Sequence, residues 1–117
     1  MVDRYDEILA KQLVMNRETW ASLQKHGVTQ ESQLQLDFSY NASSRAAAEA
    51  LAALIRDQTD YEVTSATGGS IFRRTWRVEG STRKTQISLE ILTQWVTWMV
   101  TAGRECKCDF DGWGALV

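Results

Sequence analysis

The chain has 117 residues and a mass of 13.3 kDa, the size of one domain that can bury a core without disulfides or metals. Its 13 basic and 15 acidic residues leave a formal net charge of −2, which excludes binding of nucleic acid through overall charge alone. No apolar run approaches the ~20 residues that span a bilayer, and the opening MVDRYDEILAKQ has no uncharged signal-peptide core. A cytoplasmic location with no membrane partner is therefore expected.

Residues 3–15 read as a helix, with Tyr5, Ile8, Leu9 and Leu13 at helical spacing and Asp3, Asp6 and Glu7 in the first turn. Asn16 reads as the N-cap of a second helix, about 17–26, which Gly27 ends. Both apolar stripes are thin, so these helices are expected to lie against the domain without forming its centre. Residues 33–40, QLQLDFSY, alternate without a fault: Leu34, Leu36, Phe38 and Tyr40 face one way and Gln33, Gln35, Asp37 and Ser39 the other. That pattern predicts a strand with one wet face. Asn41, Ser43 and Ser44 supply turn and cap chemistry before an alanine-rich helix, 45–56.

A second strand is predicted over 61–66, a hairpin turn at Thr67, Gly68, Gly69 and Ser70, and a third strand over 71–79. In the third, Phe72, Trp76 and Val78 face inward, Arg73, Thr75 and Arg77 outward, and Arg74 falls on the apolar side. The longest helix is predicted over 85–102, apolar on more than half its circumference and so buried from two sides, with Gly103 as its stop. The last strand, 105–110, turns Cys106, Cys108 and Phe110 inward, and Asp111, Gly112, Trp113 and Gly114 close the chain.

After the N-terminal helices the order is β-α-β-β-α-β. This predicts an α+β, ferredoxin-like split βαβ fold: a four-stranded antiparallel sheet, the first and third strands central, both helices on one face. The expected organisation is an N-terminal helical segment, 1–30, and a single compact domain, 31–117. Leu36, Phe38, Leu51, Trp76, Trp95 and Trp98 are predicted core residues.

Catalysis has little to stand on. Cys106 and Cys108 read as buried thiols, because His26 is the single histidine and Cys and His alone cannot complete four-coordinate zinc. His26, between Lys25 and Gly27, reads as a solvated helix-end residue rather than a base. Gly68-Gly69 lacks the lysine and spacing of a phosphate loop. No cofactor, metal or catalytic residue is expected, and the chain is read as working by binding.

Two binding readings stand. The wet faces of the predicted central strands carry Asp37, Arg73 and Arg77 but no aromatic residue, which argues against stacking RNA bases and for a protein partner. Against this, residues 71–84 hold Arg73, Arg74, Arg77, Arg83 and Lys84 against Glu79 alone, a basic hairpin able to touch phosphates. The bland alternative is a solvated face with cross-strand pairs of Asp37 with Arg73 or Arg77.

The closing segment CDFDGWGALV is the most distinctive stretch. Phe110, Asp111, Gly112, Trp113 and Gly114 resemble the C-terminal motif of the RraB family, regulators of ribonuclease E activity. The likeness runs back through Leu23 to Gly27, Asp60 to Val63 and the Trp- and Met-rich helix, about 16–117 in all, with its specificity in the last ten residues. The resemblance implies a ferredoxin-like, non-enzymatic protein that binds and inhibits ribonuclease E. The founding members carry strongly acidic tails, a feature this sequence does not reproduce. Physically, the two glycines let Trp113 fold back as a structural clasp and Asp111 cap nearby amides; the other reading places Asp111 and Trp113 at the partner, beside Asp37, Arg73 and Arg77.

Overall fold

A computed structural model describes residues 3–70 and 73–115, less the side chains of 66–70, 73 and 74. One helix, α1 (Arg4–Lys25), runs where two were predicted. Asp3 caps it by accepting from the Tyr5 amide, and Gly27 ends it at φ 92°. Nothing between contains Gly or Pro to interrupt the ladder. Asn16 is therefore mid-helix and fully buried, and its amide bonds to distant parts of the chain instead of capping.

The predicted strand 33–40 divides at Gln35. Its first part, β1 (Gln33–Leu34), pairs with β5 (Thr85–Gln86) in a small separate sheet, and β2 (Leu36–Ala42) enters the main one. Thr82 holds the division: the Leu36 amide donates to its Oγ1 at 3.0 Å and its own amide donates back to the Leu36 carbonyl at 2.9 Å. Ser44 then caps α2 (Arg45–Gln58) by accepting from Ala47 N–H. The alanines of this helix let it approach the sheet closely, with Ala48 and Ala52 as buried as Leu51 and Ile55.

The hairpin is longer than predicted. β3 (Glu62–Ser70) and β4 (Arg73–Ser81) stay in register to the pair Ser70 and Arg73, so Thr67 to Ser70 are strand, held by the ladder despite their glycines. Ile71 and Phe72, the latter predicted to face inward, lie outside the described residues. Ser88 caps α3 (Leu89–Glu105), which starts late because Thr85 and Gln86 are spent in β5. At 17 residues it is shorter than the 22 of α1. Gly103 lies within α3 rather than ending it, since a Cβ there would stand 2.7 Å from the Cys108 carbonyl and 2.9 Å from the Tyr40 ring. Cys106 is the helix cap, and β6 is Cys108–Ala115, so the strand predicted to end at Phe110 runs on through the DGWG motif.

The main sheet has the order β3-β4-β2-β6 with every neighbouring pair antiparallel. The protein is thus α+β, three helices and a four-stranded antiparallel sheet, with β2 and β4 central. Phe38, Tyr40, Val63, Val78, Cys108 and Phe110 pack from the sheet against α2, α3 and the first turns of α1. Trp95 and Trp76 are half-buried against this core, but Trp98 is 38% exposed. It sits about 200° around the helix from buried Val96, on the side nothing covers. None of the described helices is long and apolar enough to cross a membrane.

Candidate functional site

Residues of opposite parity along β2, β4 and β6 form the open face of the sheet. Arg77 stands at its middle. Its Nη1 donates to Asn41 Oδ1 at 3.0 Å, its Nε to Glu79 Oε1 at 3.1 Å, and its Nη2 lies 3.5 Å from Asp111 Oδ2. Asp111 also accepts from Ser39 Oγ and Asn41 Nδ2, both at 3.4 Å, so its carboxylate serves the open face and caps no amide. Asp37 does not meet Arg77. The register sets it opposite Ser81, whose Oγ donates to it at 2.6 Å. Arg73 pairs with Ser70 past the end of β2, and its side chain lies outside the description.

The register also gathers carboxylates on this face. Asp37, Glu62, Glu79, Asp109 and Asp111 share it with Arg77 as the one cation among its described side chains. Asp109 is joined from the edge by Arg4 of α1. No aromatic side chain is described there. Sequence reasoning saw Asp37 and Arg77 on a wet face but missed that β3 and β6 add carboxylates from both sides.

The rest of the motif works behind the sheet. A bulge opposite Ser39 and Tyr40 takes up one extra residue of β6. Asp111 is that residue, without a register partner, and Gly112 beside it makes the turn at φ 149°, a conformation other residues rarely hold. The bulge leaves Asp111 outward while Phe110 and Trp113 both face the core. The indole of Trp113 packs edge-on to Trp95, centroids 6.1 Å apart, and its Nε1–H donates to Asn16 Oδ1 at 2.8 Å. Asn16 Nδ2 donates in turn to the Leu92 carbonyl at 3.3 Å. One buried amide thereby ties α1, α3 and β6 together, and it carried no sequence signal beyond its misread capping role. Gly114 continues the strand opposite Asp37.

Both cysteines are free thiols. Burial, then the neighbouring Cys106 and Asp109, push the Cys108 thiol up to about 11; burial also raises Cys106. Neither is an activated nucleophile at neutral pH. Among the described residues no three His, Cys, Asp or Glu side chains cluster to hold a metal.

The arrangement is that of a small α+β domain: helices on one face of the sheet, charged side chains on the other, and a bulge at Asp111 and Gly112 joining the two. A family model described as Regulator of ribonuclease activity B matches residues 14–115. The chain belongs to the RraB family, whose members regulate ribonuclease activity. No curated protein matches it.

Proposed function

We propose that this chain is a non-enzymatic, cytoplasmic regulator that binds ribonuclease E through the open face of its sheet and restrains its activity. In this reading β2-α2-β3-β4-α3-β6 is a ferredoxin-like split βαβ unit to which α1 and the β1–β5 ladder are added. Asp37, Arg77 and Asp111 contact the partner, and Trp113 holds the bulge that presents Asp111. The observation that carries it is the charge of the face: among its described side chains, five carboxylates stand with one already engaged guanidinium. Such a face attracts a basic protein surface and repels phosphate, and its described side chains include no aromatic on which bases could stack.

The test is retention of purified ribonuclease E on the immobilised chain, with and without ribonuclease treatment. Retention that survives the treatment, and that Asp111→Lys with Asp37→Lys weakens, supports the reading. Submicromolar binding of single-stranded RNA by the chain itself favours the nucleic-acid alternative.

A further inference from the structure

The open face leaves unused a cleft between the 82–87 segment and the N-terminal half of α3. Its floor is aromatic and fixed. Trp95 Nε1–H donates to Tyr61 Oη at 3.1 Å, and Phe38 packs against these two rings at centroid distances of 5.8 and 6.3 Å. Ile87 and Leu92 are wholly buried in its wall, whereas Ile91 keeps 43% of its surface in solvent. The cleft holds about 280 Å³, just below the range of small-molecule and cofactor sites and suited to one large side chain. Arg83 and Lys84 line it, with Asp60 as the one carboxylate. Both cations are exposed, and neither joins an ion pair among the described residues.

We propose that this cleft docks an acidic, apolar segment of a protein partner. One large side chain enters over Tyr61 and Trp95, and a neighbouring carboxylate meets Arg83 and Lys84. The proposal rests on the reading of the chain as a protein-binding regulator and adds a contact of opposite polarity to that of the open face. The floor is already ordered by its own hydrogen bond and ring contacts, so binding requires little reorganisation. The buried anchor supplies most of the affinity and the two cations select the sequence around it.

Titration of the isotope-labelled full chain with a capped tetrapeptide of aspartate, tryptophan, aspartate and leucine tests this by NMR. The control is the same peptide with lysine in place of each aspartate. The acidic peptide is expected to shift the Trp95 indole and the amides of 83–92, saturating in the millimolar range, and the lysine peptide to leave them in place. Arg83→Glu with Lys84→Glu should weaken binding about tenfold. Ile91→Asp, at a solvent-exposed position, should abolish it with the rest of the spectrum unchanged. No shifts, equal response to both peptides, or shifts confined to the open face would overturn the proposal. The titration contains no ribonuclease. Peptide binding without ribonuclease E binding keeps the cleft and discards that partner, and the reverse discards the cleft alone.

Discussion

Buried Asn16 accepts from the Trp113 indole N–H and donates to the Leu92 carbonyl. Asn16→Leu leaves the indole N–H without its partner and removes a second bond to a carbonyl that the α3 ladder already engages, and should destabilise the chain by about 1–3 kcal/mol in denaturant titration. Trp113→Phe removes the indole donor, so the double variant should lose less than the sum of the two single changes. Additive losses would mean that the bond is incidental. Gly112→Ala strains the bulge at φ 149° and is expected to cost about 1–3 kcal/mol, with partner binding reduced because Asp111 is then re-aimed. The thiols make a different prediction. Folding raises the pKa of Cys108 to about 11, so above the ordinary thiol range the unfolded chain gives up a proton that the folded chain keeps. Stability is then full below about pH 8.5 and falls as pH rises toward 11, by at most about 1 kcal/mol per pH unit. Tyr40, raised by burial, steepens the loss above pH 10, the ordinary range for tyrosine. Cys108→Ala should flatten the first part of that decline, as urea midpoints measured across this range would record.

At the level of elements, what was legible in the sequence was whatever local periodicity controls. The alternation of Leu36, Phe38 and Tyr40 gave the right face, and the β-α-β-β-α-β order gave the central strands. What local periodicity does not control was misread. Asn16 looked like a cap because its partners lie 76 and 97 residues away. Gly68 and Gly69 looked like a turn because nothing in the sequence reports the ladder opposite them. Trp98 looked like core because a hydrophobic helix does not say which side goes uncovered. The same holds for the site: Asp37 and Arg77 were legible as wet-face residues, whereas Asp111 reached that face through a bulge that only the β2–β6 register defines. The boundary drawn at residue 30 has a direct test. α1 packs on α3 and closes over Trp113, so a chain lacking residues 1–30 is expected to lose cooperative unfolding and the resolved Trp113 indole resonance. Retention of both would make α1 an appendage.

Across the whole molecule a net charge of −2 conceals two surfaces of different character, a sheet face whose described side chains are mostly carboxylates and a cleft lined by Arg83 and Lys84. A partner held through the first should leave as salt screens it, since exposed charges further apart than about 8 Å lose most of their attraction at physiological ionic strength. The regulator reading stands or falls on ribonuclease E itself. The most direct measurement is the rate at which purified ribonuclease E cleaves an RNA substrate as the purified chain is added, repeated with Asp37→Lys and Asp111→Lys together. Regulation through the open face predicts that cleavage slows toward a plateau as the chain saturates the enzyme, and that the double variant, still folded, slows it far less. An unchanged cleavage rate at saturating chain would contradict it, as would inhibition that disappears when excess RNA is added and is indifferent to the double variant.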